Sequence, residues 1–217
     1  CTIGLLKHSL LSCFGRQWTS RIVLMNINSI ERSISLLDEV IVNPKEGLPE
    51  EVFLFASRIS PMVNVDMLIL NSCNEVLLTW RDDNNYTAGW HIPGGIVRYK
   101  ESMIERLKKT AKNELDADIS FTSAPLTVNE IIRSSERKNR GHFISFLFKC
   151  ELRSQLNENN KYLGDEKPKN GMWKWHKGCP MNIIPVHLMY KEIINGKPSK
   201  PICTSDFGYS RLILANQ

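Results

Sequence analysis

Pro93-Gly94-Gly95 is followed, at a fixed remove, by a stretch of helix formers whose last turns carry Thr110, Asn113 and Glu114. A glycine pair after a proline lets backbone come close to a bound group and turn carbonyl or amide groups toward it. Residues spaced i, i+3 and i+4 share one face of a helix. A carboxylate on such a face can hold a hard cation such as magnesium against phosphate oxygens. Of these three residues only Glu114 is acidic, so the face offers a single carboxylate to a cation. Alone, Pro-Gly-Gly reads as a turn and Glu114 as a solvated acid near a helix end. Their spacing turns them into a candidate site.

The rest of the chain bounds what that site could serve. At 217 residues it can bury one sizeable core. A net charge of +5 suits a phosphorylated ligand. No block of like charge and no basic-aromatic alternation is present, which argues against nucleic acid. No run of 18 apolar residues occurs, which argues against a membrane span. Six cysteines lie at positions 1, 13, 73, 150, 179 and 203 with no CxxC spacing. That excludes a zinc ribbon or redox pair, marks Cys150 as a reduced core residue, and points to a cytoplasmic setting. The first methionine is Met25, and residues 1–24 read as a non-native or disordered leader, with a genuine N-terminal arm as the rival.

The elements that must position the site follow from periodicity. Ile30, Ile34, Leu37 and Val40 recur at helical spacing, and Pro49 opens a second helix with Glu50 and Glu51 in its first turn. These two helices read as a dimerisation or cover element, so a homodimer is possible. Met62–Leu70 and Glu75–Trp80 read as strands of a hairpin turned at Asn71–Asn74. A helix over Ser102–Leu115 presents Met103, Ile104, Leu107 and Ala111 on one side. Strands follow near Leu126–Arg133 and His142–Glu151, then a long polar loop over Asn157–Gly171, a short strand Trp173–His176, and a last helix from Pro185 to Ile194. Trp173, Trp175 and Phe143 could stack on a base or pack in the core.

The run Gly95, five residues, Glu101, seven residues, Lys109-Thr110-Ala111-Lys112-Asn113-Glu114 resembles the Nudix box, the loop-helix-loop that binds diphosphate and magnesium in Nudix hydrolases. Lys109 stands for the usual arginine, Thr110 and Asn113 for two of the usual glutamates, and Asp116 for the closing glycine. The resemblance implies an α+β fold, a Nudix-type α/β/α sandwich with a mixed sheet. The domain would span 61–196, with a helical extension at 25–60 and a polar tail at 197–217. It implies that Glu101 and Lys109 form the structural pair that shapes the loop. With Val63-Asn64-Val65-Asp66, Leu77-Leu78-Thr79-Trp80-Arg81 and Trp90, the chain is most similar to the GDP-mannose mannosyl hydrolase branch. That branch cleaves a nucleotide sugar at the sugar C1 with one Mg2+.

The branch implies Gly94 (carbonyl) and Glu114 as metal ligands. Arg81 and Asp66 become catalytic residues, and Arg81, Gly95 and Lys109 bind substrate. Two departures stand out. Ile96 replaces an arginine after the glycine pair, and Asp165-Glu166-Lys167-Pro168 replaces a Gln-His loop that supplies the general base. The base candidates are His91, His142, His176 and Glu166, with Asp165 beside it. Two rivals stay open: an ordinary Nudix pyrophosphohydrolase attacking phosphorus, and a nucleotide-binding protein that kept the fold without catalysis.

Overall fold

The computed structural model describes residues 27–83, 87–133, 139–164 and 166–197, and the backbone of 210–214. The expected leader, most of the linker 134–141, Asp165 and most of the tail lie outside the described residues. The chain divides into two units, Cys1–Val52 and Phe53–Gln217. In the first, α1 runs over residues 27–40, as the periodicity predicts. The periodicity does not translate into burial, however. Ile30, Ile34 and Val40 are exposed.

The second unit holds α2 (Glu50–Ile59) from Phe53 onward, and then two sheets. The larger has the order β4-β1-β7-β6-β9, with β5 on the edge of β7. Its strands are β1 (Met62–Ile69), β4 (Gly94–Ile96), β5 (Ile119–Phe121), β6 (Thr127–Arg133), β7 (His142–Leu152) and β9 (Ser210–Leu214). It is mixed: β1 runs parallel to β7 and β9 parallel to β6, while the other pairs are antiparallel. The second sheet has the order β3-β2-β8, from β3 (Gly89–His91), β2 (Val76–Arg81) and β8 (Trp173–His176). Strand β9 lies where a polar tail was expected. The expected last helix begins as a 3-10 segment, Pro185–Tyr190, and becomes α-helical only at α4 (Lys191–Ile194).

Side-chain alternation in the strands divides the core in two. Val65, Met67 and Ile69 of β1 pack with Leu77, Phe148, Trp173 and the apolar side of α3 (Met103–Leu115), namely Leu107, Ala111 and Leu115. The intervening Leu68 packs with Leu78, Trp80, Trp90, Leu147 and, from the chain's end, Tyr190 and Ile194. Trp173 is 2% exposed, and Phe143 packs with Ile131 and Ile184, so both are core residues rather than a stacking platform.

Local chemistry explains where α3 begins and ends. The Ser102 hydroxyl accepts from the Glu105 amide, and Glu105 in return accepts from the Ser102 amide at 2.7 Å, a complete capping box. At the far end Asp116 adopts φ 49°, ψ 37°, the left-handed turn that the missing glycine would supply. Aspartate is among the few residues that tolerate it. The change of residue there leaves the helix stop intact.

Candidate active site

Gly94 and Gly95 lie on the edge strand β4, and each is glycine for want of room. A Cβ at Gly94 would meet Asp66 Oδ1 at 2.1 Å, and one at Gly95 would meet Thr110 Oγ1 at 2.6 Å. The β1–β4 bonds run through Val63–Val97 and Met67–Pro93, on either side of the Val65–Gly95 pair. In such a ladder the intervening Gly94 turns its N–H and C=O away from β1, to the open edge of the sheet.

Below the turn, Glu101 is clamped more tightly than the sequence suggests. Lys109 approaches its Oε1 at 3.3 Å, as expected of the box pair, but the closer partner is Arg106, with Nη2 and Nε at 2.6 and 2.7 Å from Oε2. Burial pushes the Glu101 carboxyl up. The Arg98 amide and the Arg106 guanidinium outweigh it and hold it below the usual range. Lys109 itself is largely exposed. Thr110 is 4% exposed, its hydroxyl packed under Gly95, so this position of the box face serves the loop rather than a cation.

Glu114, one turn on, reaches the second sheet. Its Oε2 lies 3.3 Å from His91 Nε2 and 3.4 Å from Thr79 Oγ1. Thr79 and His91 are cross-strand partners. Arg81, two residues beyond Thr79, is on the same face of β2, roughly 7 Å further along. There it pairs with Asp83, Nε to Oδ2 3.2 Å. The loop that follows Glu166 docks beside this strand end: Lys167 Nζ is 2.8 Å from Asp82 Oδ2, and the Gly171 amide donates to the Trp80 carbonyl.

Asp66 occupies a different environment. It is 1% exposed, and its carboxylate accepts from Ser145 Oγ at 2.5 Å, Tyr190 OH at 2.6 Å and Asn64 Nδ2 at 2.9 Å. Burial drives its carboxyl above the ordinary aspartate value even though these donors pull it down. Burial likewise drives the Tyr190 phenol well up, with the Asp66 charge adding to it. Tyr190 follows His187, which is almost fully buried. His187 Nδ1 accepts from the Ile92 amide at 2.9 Å, and its ring lies 6.0 Å from that of His91. Burial first, then the neighbouring His91 and Arg81, hold His187 well below the usual histidine value. It is therefore neutral, with its lone pair engaged.

The structure thus brings Arg81, His91, Gly94, Gly95 and Glu114 to one region and leaves His142 and His176 apart from it. His142 bonds Glu130 on the neighbouring strand at 3.0 Å. His176 packs its ring edge-on to Trp90 at 4.6 Å. Burial and the Lys174 charge lower its value to about 4. Glu166 is exposed, one residue from the Lys167–Asp82 contact. Thr79, Arg106, Ser145, His187 and Tyr190 were not singled out from sequence. Ser145 and Tyr190 lie 79 and 124 residues from Asp66, and only the fold joins them.

A mixed-sheet sandwich with a glycine turn, a capped helix and a clamped glutamate beneath it defines the Nudix class. The chain belongs to the Nudix family of hydrolases: the NUDIX domain matches residues 60–177. Among curated proteins, the low-salt glycan biosynthesis protein Agl8 of Haloferax volcanii is similar at 25% identity over 111 residues, half of this chain and 70% of that protein. A NUDIX hydrolase from Nitrosomonas europaea shares the fold with a TM-score of 0.50 and 17% identity, over 71% of this chain and 80% of that one. A MutT protein from Methanosarcina mazei Go1 aligns at 17% identity over 65% of this chain and 98% of that one, with a TM-score of 0.48.

Proposed function

We propose that this Nudix chain hydrolyses a nucleotide sugar at the sugar C1, GDP-mannose-like in type, releasing free sugar and a nucleoside diphosphate. One observation carries the reading: a single acid, Glu114, remains on the box face, and Thr110 is packed under Gly95. Among the described residues no three His, Cys, Asp or Glu side chains gather at metal-ligand spacing. Attack at phosphorus benefits from cations on both the attacking and the leaving oxygens. Attack at C1 needs charge relief mainly on the departing diphosphate. The glycan-biosynthesis name of the Haloferax relative is in keeping with a sugar-linked substrate.

The residues fit one Mg2+. Glu114 is partly solvent-facing, its contacts at 3.3 and 3.4 Å are long enough to yield, and Gly94 turns its carbonyl outward on the sheet edge. Mg2+ commonly takes one or two carboxylates and completes its shell with water and phosphate. Glu114 and Gly94 would hold it. When bound, it supplies charge neutralisation at the diphosphate.

The chain's own residues supply the rest. Gly95 lets the chain's own backbone come close to the substrate, and Lys109 adds a positive charge beside Glu101. Arg81 turns from Asp83 to the leaving diphosphate, where charge grows in the transition state. Asp66, expected to position the sugar or a catalytic partner, is instead buried and bonded to Asn64, Ser145 and Tyr190, packed against Gly94. The water at C1 is activated by Glu166, exposed next to Lys167, which contacts Asp82 beside Arg81. A screen of nucleotide sugars with Mg2+, reading products by chromatography, tests this. Free sugar plus nucleoside diphosphate supports it. Sugar phosphate plus nucleoside monophosphate would assign the chain to the ordinary pyrophosphohydrolases.

A further inference from the structure

His91 Nδ1 lies 2.8 Å from the Thr79 carbonyl oxygen, which can only accept. Nδ1 therefore carries the ring proton, and Nε2 presents its lone pair. That lone pair meets a second acceptor, Glu114 Oε2, at 3.3 Å. Thr79 Oγ1 stands 3.3 Å from Nε2 and 3.4 Å from Oε2, and its one proton can serve only one of them. Two acceptors brought face to face by β3 and α3, the histidine side chain 6% exposed, repel unless a positive charge lies between them. The spacing fits one. Two ligand atoms about 2.1 Å from an ion are roughly 3.0 Å apart at a right angle and about 3.4 Å apart at the tetrahedral angle. A backbone carbonyl holding the other ring N–H is also how metal-ligating histidines are oriented.

We infer that His91 gives its Nε2 to the divalent ion held by Glu114, so that the site takes a nitrogen-tolerant cation such as Mn2+ or Co2+ in preference to Mg2+. The inference rests on Glu114 being the metal carboxylate, as proposed above. Imidazole moves a site away from Mg2+ toward the first-row transition ions. His187 does not compete through Nδ1, whose lone pair already accepts from Ile92. Among the described residues no third acid, histidine or cysteine joins the pair, so the Gly94 carbonyl, water and substrate phosphate complete the shell.

Mn2+ bound to the full chain provides the test through electron spin echo spectroscopy, on unlabelled protein and on protein labelled with nitrogen-15 histidine. The expected result is a directly coordinated nitrogen-14 signal that converts to nitrogen-15 on labelling and disappears in His91→Gln. Calorimetry should show His91→Gln weakening Mn2+ at least about tenfold, and Mg2+ by less than about threefold. Mn2+ bound without nitrogen coupling, yet lost in Glu114→Gln, overturns the role of His91 and leaves Glu114 as the ligand. That outcome would mean a proton, not a metal, fills the gap. Mn2+ binding indifferent to Glu114→Gln overturns both. Should His91→Gln fail to fold, the labelling of the unmutated chain decides alone.

Discussion

Asp66 packs against Gly94, Glu114 reaches His91 and Thr79 from the helix that follows, and their surroundings differ in kind. Around Asp66 three donors converge within 2.9 Å on a carboxylate sealed from water. Around Glu114 the nearest groups are at 3.3 Å or more, one of them an acceptor, and the carboxylate is 24% exposed. A saturated, buried acid makes structure, because every proton position is already spoken for. An acid with acceptor capacity left over, at the edge of solvent, can take up something new. The comparison therefore predicts that mutations at the two will separate stability from turnover.

Arg81→Ala should have the largest effect on turnover, lowering kcat by about a hundredfold with a smaller change in KM. Steady-state kinetics checks it. A raised KM with normal kcat would reduce Arg81 to ground-state binding. Glu166→Gln should come next, with kcat falling by about tenfold or more, read by steady-state kinetics. An unchanged kcat would remove Glu166 as the base. Glu114→Gln should lower metal-dependent turnover by at least about tenfold, roughly 1.4 kcal/mol in the barrier. Its melting temperature should stay unchanged, since its contacts are long and partly wet. Asp66→Asn should do the reverse. It replaces an acceptor of two hydroxyl bonds with a donor, at a cost of about 1–3 kcal/mol. The melting temperature should fall by about 2–4 °C per kcal/mol. Equal loss of stability in both variants would dissolve the comparison.

A buried polar atom without a partner gives the smallest effect. His176 Nε2 has none among the described residues, and the ring is held to about 4 from 6.5. The unfolded chain binds this proton below pH 6.5 while the folded chain refuses it until about pH 4. Its share of stability is thus present above pH 6.5 and is lost as pH falls through that window. His187, lowered for the same reason, acts with the same sign. His176→Phe should therefore raise the melting temperature at pH 5 more than at pH 7.5. A uniform shift at both would contradict the assigned protonation.

The box was legible because spacing along a short segment is a local property: Lys109 and Glu114 stand in the sequence as they stand on α3, with Gly95 and Glu101 at a fixed remove before it. The strands β1, β2 and β8 were legible because their apolar runs are long or bounded by turns. Strands β3, β4 and β5 were not, since three residues carry no period. Arg106 escaped notice because Lys109 occupies the family position for the pair, while Arg106, three residues earlier, has the better approach to Glu101. Ser145, His187 and Tyr190 were invisible for a deeper reason. Their partners are brought together by sheet register and by the 3-10 segment after Pro185, and nothing local in sequence encodes that. Helix α1 shows the converse, a regular period whose apolar residues are left exposed.

With one acid left on its face, the eroded box is proposed to move the reaction from phosphorus to carbon. Hydrolysis of a nucleotide sugar in oxygen-18 water, with both products read by mass spectrometry, tests it most directly. The label is expected on the sugar and none on the nucleoside diphosphate. Label on a phosphate would contradict it.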